Sequence, residues 1–312
     1  MSLALLLAAL PVLYWEQPAD TAAALKRAGI ERLRVPAERA AEWKGSGLDA
    51  TPLTADERTA RVTLNPPGVA PRANTASATR RPWVDANGWR FARQPEGRFF
   101  AAPPAGKAVL SAAEAFVHGA DLVLSIDPQD LEPLGLALAL FRALPEAPLP
   151  AIADVGVVDD GSFLSGELMN LLARRNLLFR PAARSDKDVA LTVELGSEAW
   201  PASEAANPDA LALKVRTKLG DEKRSLRLFG SEVVIARLTG DKGRRRVQLL
   251  NYGGRRIDGL RVRLLGAWQP GEAQVLEAGK VAVDALVVEG GATEFSLPVL
   301  GPYAVVDLTA AK

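Results

Sequence analysis

The 312-residue chain is 48% hydrophobic and 24% charged, a globular balance with room for two ordinary cores. Its 38 Lys and Arg offset 37 Asp and Glu, so no global field draws it to nucleic acid or to an anionic membrane. There is no cysteine, which excludes disulfides, thiolate nucleophiles and iron–sulfur clusters, and the single histidine, His118, excludes a His-rich zinc site.

The unbroken apolar run Leu3 to Leu10, with small residues at Ala8 and Ala9, has the pattern of a secretory signal-peptide core. Residues 1–11 are therefore expected to direct export to the periplasm or the cell exterior. A buried first strand extended backwards fits the same residues. The run is too short to span a bilayer as a helix, and no other stretch is longer, so no integral membrane segment is expected.

From Val12 to Pro145 the pattern alternates strand and helix. Val12-Leu13-Tyr14-Trp15 reads as a strand ending at Glu16, and Asp20 as the cap of a helix that stops at Gly29. Leu33 to Val35 is a second strand, followed by helical turns over Ala37 to Trp43. This βαβ grammar implies parallel strands. Asn65 to Arg81 reads as a long surface loop. Trp83-Val84-Asp85, Trp89-Arg90-Phe91 and Arg98-Phe99-Phe100 read as short aromatic strands, with a turn at Asn87-Gly88. Helical spacing returns over Lys107 to Val117, a strand over Leu122 to Ile126, and a helix over Pro128 to Leu144.

A proline-punctuated linker, Pro145 to Pro150, precedes a second α/β unit over residues 151–220. It has a strand from Ile152 to Val158, an Asp159-Asp160-Gly161 turn, a helix from Phe163 to Arg175, and strands over Leu177 to Arg180 and Val189 to Leu195. From Ser225 to the C-terminus, seven short alternating strands separated by glycine turns imply a β-sandwich over residues 225–312.

The phrases Leu249-Leu250-Asn251-Tyr252 and Leu300-Gly301-Pro302-Tyr303-Ala304-Val305-Val306 give a family likeness. The C-terminal part resembles the small β-sandwich that closes many bacterial multidomain glycoside hydrolases. The stretch Ala151 to Gly196 is similar to the glutamine-amidotransferase-like α/β module that such enzymes carry between barrel and sandwich. The resemblance implies a (β/α) barrel in front, but a full one needs about 200 residues. Residues 12–145 are thus expected to form a shortened barrel or another parallel sheet. The fold class is α/β followed by all-β.

Glycoside hydrolysis uses two carboxyl groups, and in barrels they stand at the carboxyl ends of strands. Glu16, Asp85 and Asp127 each follow or end an expected strand and are the candidate catalytic carboxylates. Trp15, Trp83 and Trp89, with Asn87 between the last two, are the candidate sugar-binding residues, since an aromatic face suits the apolar side of a pyranose. Each has a plainer explanation. Asp127 before Pro128 fits a helix cap, Asp85 opens a turn, and Glu16 fits an edge charge. Asp159-Asp160-Gly161 could offer oxygens to a cation, yet Gly161-Ser162 fits a helix start better. No phosphate-loop spacing occurs, so no nucleotide, metal or other cofactor is expected.

Two functions compete. One is an exported, glycoside-hydrolase-related protein that binds polysaccharide or oligosaccharide or acts on it weakly. The other is a non-catalytic assembly protein that uses the same folds for protein contacts, including self-association. The amidotransferase likeness carries no amidotransferase chemistry, because a thioester needs a thiol. Incubation with glutamine is expected to release no ammonia above the protein-free control.

Overall fold

A computed structural model describes residues 10–70, 82–145, 149–184 and 186–311. The apolar run before Leu10 and residues 71–81 of the loop lie outside the described residues. The chain falls into two compact units, Met1–Gly68 with Gln94–Pro148, and Val69–Arg93 with Leu149–Lys312.

In chain order the first eight strands are β1 (Val12–Tyr14), β2 (Arg32–Pro36), β3 (Asp49–Leu53), β4 (Val62–Thr63), β5 (Gly68–Ala70), β6 (Trp83–Asp85), β7 (Arg98–Ala101) and β8 (Asp121–Ser125). The first five helices are α1 (Ala22–Arg27), α2 (Ala55–Thr59), α3 (Gly88–Arg93), α4 (Ala108–His118) and α5 (Leu131–Ala143). Strands β5 and β6 form a ribbon of their own.

The first unit is built on a six-stranded sheet in the order β3-β2-β1-β8-β7-β4, with parallel pairing throughout. Counted among themselves, its strands run 3-2-1-6-5-4. Chain neighbours are sheet neighbours everywhere except the third and fourth, which stand at opposite edges. A doubly wound sheet would run outward in its second half, as 3-2-1-4-5-6. The observed order is instead a cycle cut at one point, so the region is a parallel sheet whose open edges are β3 and β4.

Local chemistry sets these elements. Helix α2 starts on a capping box, with the Glu57 amide donating to Thr54 Oγ1 at 3.1 Å and the Thr54 amide to Glu57 Oε2 at 3.0 Å. Helix α4 ends where Gly119 turns left-handed at φ +64°. Helices α4 and α5 meet through stacked Phe116 and Phe141 rings, 4.3 Å between centroids.

The second unit joins a small α/β module to the sandwich. Strands β9 (Val155–Val158), β10 (Phe179–Ala182) and β11 (Leu191–Val193) pair in parallel in the order β10-β9-β11. Helices α6 (Phe163–Arg174) and α7 (Pro208–Leu219) share a core with them through Leu168, Leu172, Leu211 and Val215. Helix α7 was not expected from the pattern. Its signal is an Asn207 cap, Pro208 at the first turn, and buried Leu211, Val215 and Leu219 at spacing four. Three cations, Lys214, Arg216 and Lys218, dilute that stripe.

The expected strand Trp89-Arg90-Phe91 is a helix, α3. The carbonyl of Asn87 accepts from the amides of Arg90 and Phe91 at 2.8 and 3.2 Å, so this stretch winds rather than extends. Its alternating aromatics are both buried, Trp89 at 7% exposure in the core of the α/β module. Glycine at 166 allows this, since a Cβ there would stand 3.1 Å from the Trp89 ring.

The C-terminal sheets are β12-β15-β19-β18 and β13-β14-β20-β16-β17, where β12 is Leu226–Phe229, β13 Val234–Gly240, β14 Arg244–Asn251, β15 Ile257–Leu265, β16 Trp268–Val275, β17 Gly279–Val281, β18 Asp284–Glu289, β19 Ala292–Leu300 and β20 Tyr303–Ala310. Leu260, Val262, Phe295 and Leu297 of one sheet share a core with Val247, Leu249, Ala304 and Val306 of the other, so the region is a sandwich. Nine strands replace the seven expected. Strand β16 is masked in sequence by Pro270-Gly271, where its pairing with β20 shifts register.

Gly135 supplies a test of the first unit. A Cβ at 135 would lie 1.9 Å from the Ala28 carbonyl oxygen at the end of α1. Helix propensity alone would make Gly135→Ala stabilising by up to about 1 kcal/mol. The backbone clash reverses the sign, and a net loss of about 1–3 kcal/mol is expected in thermal or urea unfolding. An unchanged or raised Tm would show that α5 does not pass this close to α1.

Candidate functional site

Strands β1 and β8 are neighbours, with Tyr14 opposite Ser125. Two residues beyond each stands a candidate carboxylate, Glu16 and Asp127, so both lie off the same carboxyl edge of the sheet. Both are engaged. Glu16 is exposed and pairs with Arg58 at 3.4 Å, while Arg58 also lies over the Tyr14 and Phe100 rings. Burial and then the neighbouring Glu16 raise the Tyr14 hydroxyl above its ordinary pKa. Asp127 caps the short helix Pro128–Asp130, accepting from the Gln129 amide at 3.0 Å. Trp15 is 4% exposed and its Nε1 donates to Thr21 Oγ1 at 2.8 Å, so its ring is a core wall rather than a platform.

Asp85 belongs to the second unit. It accepts from Trp83 Nε1 at 3.0 Å and lies 3.8 Å from Arg174 Nη2. The Arg174 guanidinium stacks on Trp83 at 3.3 Å from the ring centre. Asn87 is buried at the start of α3, and Trp89 is core, with Arg90 over its ring at 4.2 Å. Of the named set, then, the structure brings Trp83 and Asp85 together and places Asn87 and Trp89 in supporting roles.

The Asp159-Asp160-Gly161 turn is also spoken for. Asp159 takes two bonds from Arg93, at 2.8 and 2.7 Å, and Asp160 accepts from Ser165 Oγ at 2.6 Å and the Ser162 amide at 2.9 Å. Hydrogen bonds from Ser165 and Ser162 push the Asp160 carboxyl down to about 2. Among the described residues, no three His, Cys, Asp or Glu side chains converge as metal ligands.

Trp83 forms a wall of a cavity of about 210 Å³ inside the second unit. The other walls carry five arginines, Arg174, Arg175, Arg216, Arg224 and Arg227, with Asp209, Glu232 and Phe229. One carboxylate organises three of them. Asp221 is held by Arg216 at 2.9 and 2.5 Å, by Arg224 at 3.0 Å and by Arg227 at 3.7 Å. The bonds from Arg216, with those from Arg224, hold the Asp221 carboxyl well below the usual range. Burial lowers the pKa of Arg224, and the like charges of Arg216 and Arg227 add to this. Arg175 pairs with Asp209 at 2.7 Å.

The sequence pattern marked only Trp83 of this cavity. Arg174 and Arg175 fall at the end of an expected helix and Arg227 in an expected strand, positions where a cation is ordinary. Their signal is weak because four separate segments supply the walls.

No protein-family model matches the chain, and no curated protein matches it. Among solved structures it is similar to alpha-L-fucosidase isoenzyme 2 from Paenibacillus thiaminolyticus, with a TM-score of 0.53 and 10% identity over 88% of this chain and 71% of that one. It is also similar to a cold-adapted beta-galactosidase from Rahnella sp. R3, with a TM-score of 0.42 and 10% identity over 88% of this chain and 66% of that one. The first likeness shows a glycoside-hydrolase-like fold. The identity is far too low to carry residues across.

Asp221 gives the site's own test. Asp221→Asn strips the counter-charge from three arginines, one of them with a side chain only 6% exposed. A loss on the order of 3 kcal/mol is expected in denaturant unfolding. Because the native Asp221 pKa is depressed, its contribution is full above the unfolded carboxylate value of about 3.9 and fades as pH falls through the native value. The wild-type minus variant stability difference should therefore shrink below pH 4. A pH-independent difference would show that Asp221 acts through packing alone.

Proposed function

We propose that this protein binds glycans on a glycoside-hydrolase-like scaffold without hydrolysing them. The observation that carries the binding is the Trp83 wall. A half-buried indole beside guanidinium donors, lining a partly open cavity, offers a sugar both an apolar face and fixed hydrogen bonds. The absence of hydrolysis is supported by the carboxylates. Glu16, Asp127 and Asp85 are each tied to a cation or a cap. Hydrolysis needs two carboxyl groups flanking one bond, about 5–5.5 Å apart for retention or 6.5–9.5 Å for inversion. Export belongs to the proposal as well, supported by the Leu3 to Leu10 run.

Fluorescence offers a direct test, because of the six tryptophans only Trp83 is half-buried and the others are buried. A glycan that reaches the cavity is expected to shift the emission, and Trp83→Ala to weaken binding by about 1–3 kcal/mol. No shift with any member of a broad oligosaccharide panel would end the glycan reading. Release of reducing sugar that Glu16→Gln abolishes would overturn the non-hydrolytic part alone.

A further inference from the structure

The cavity carries more positive charge than a neutral sugar needs. Five arginines line it with two carboxylates, Asp209 and Glu232. Two more carboxylates, Asp221 and Asp85, pair with those arginines from outside the lining. Among the described residues that makes five cations against four anions, an imbalance of a single charge. Resting on the reading of this cavity as a glycan site, we propose that its ligand is an acidic sugar whose carboxylate lies among the arginines while its ring faces Trp83.

Donors are in place for it. Arg175 Nε and Arg224 Nε are buried and have no hydrogen-bond partner among the described residues. Buried cationic nitrogens without a partner leave the positive charge of these two lining residues poorly compensated, which favours an anion in the cavity beside them. The guanidinium groups are also held in place before any ligand arrives. Arg174 is stacked on Trp83 at 3.3 Å, Arg227 on Phe229 at 4.8 Å, and Arg224 donates to the carbonyls of Arg175 and Asn176 at 3.1 and 2.9 Å. Planar guanidinium forks match carboxylate geometry, and fixing them in advance removes an ordering cost from binding. Mutual repulsion acts in the same direction, since Arg224 sits beside both Arg216 and Arg227.

Size narrows the ligand. At about 210 Å³ the cavity is below the range of roughly 300–1,000 Å³ that takes a drug-sized ligand. One ring with its carboxylate fits that scale, and an extended chain inside the cavity does not. The site would thus read a uronic acid unit, at the end of a glycan or free.

The experiment is a titration of the whole chain with glucuronate and galacturonate disaccharides, their neutral hexose counterparts, and inorganic phosphate, in low and high salt. The acidic sugars are expected to bind at least tenfold tighter than the neutral ones, with the preference shrinking as salt rises. Arg227→Gln and Arg174→Gln, with circular dichroism to confirm the fold, should each cut the acidic-over-neutral ratio at least fivefold. Arg227 is partly exposed with a loose 3.7 Å ion pair, so this variant is expected to fold even if Arg174→Gln does not. Equal binding of acidic and neutral sugars would overturn the charge assignment and leave the glycan reading standing. Phosphate binding as tight as uronate would reduce the cavity to a simple anion site and overturn the sugar assignment. Binding of none of them would end both readings.

Discussion

Asp221 is one carboxylate holding three guanidinium groups, and the second unit is organised around it. It sits just after α7, takes Arg216 from that helix, Arg224 from just before the first sandwich strand and Arg227 from that strand, β12. Arg224 then reaches the carbonyls of Arg175 and Asn176, at the end of α6, where backbone acceptors have no helical partner and a cation is favoured. Asn176 continues the chain of bonds. Its backbone is left-handed at φ +51°, as asparagine tolerates after a helix, and its amide bonds to Val234 and Ala236 of β13. Asp154, before β9, accepts from the amide and hydroxyl of Ser225, at the start of the sandwich. The α/β module and the sandwich are therefore joined by buried polar bonds as well as by apolar contact. Such bonds fix one arrangement, because every alternative leaves a buried polar group without a partner.

The same constraint explains the division of labour among the carboxylates. A catalytic pair of carboxyl groups needs environments that push the two pKa values apart, one kept protonated and the other ionised. Glu16 and Asp127 stand at the right edge of the parallel sheet for a barrel enzyme, but one meets Arg58 and the other caps a helix. What lines the cavity of the second unit is not a pair of acids but a group of guanidinium cations. On the proposed reading, the chemistry available there is recognition of negative charge.

Much of the fold was legible because it rests on uninterrupted apolar periodicity. Strands β1 and β8 and helices α4 and α5 are marked by Leu, Val and Ala runs that only one period fits. Helix α3 was not, because Trp89 and Phe91 alternate as a strand would, and only packing of Trp89 against the glycine at 166 makes the helix the better burial. Strand β16 was hidden by Pro270-Gly271, and α7 by its lysines and arginine. Of the candidate cavity's lining, the sequence pattern singled out one residue, Trp83. Its other walls come from positions 174–175, 209–216 and 224–232, and the contacts that unite them exist only in the folded chain.

Trp83 and Arg174 show why a sugar site and a charge site can be one place. A guanidinium on one face of an indole leaves less of that ring for a pyranose, so a neutral ligand competing for stacking gains less than it would at an open tryptophan. The arginine itself becomes part of the recognition surface, stacked on the ring, with Asp85 Oδ1 accepting from the indole nitrogen and facing the guanidinium at 3.8 Å. Asp85 thus acts at one remove. It fixes the ring that fixes the cation, and its negative charge is already committed to that task. A ligand bringing its own carboxylate completes the arrangement electrostatically, whereas a neutral one leaves the cavity's excess charge where burial makes it most costly.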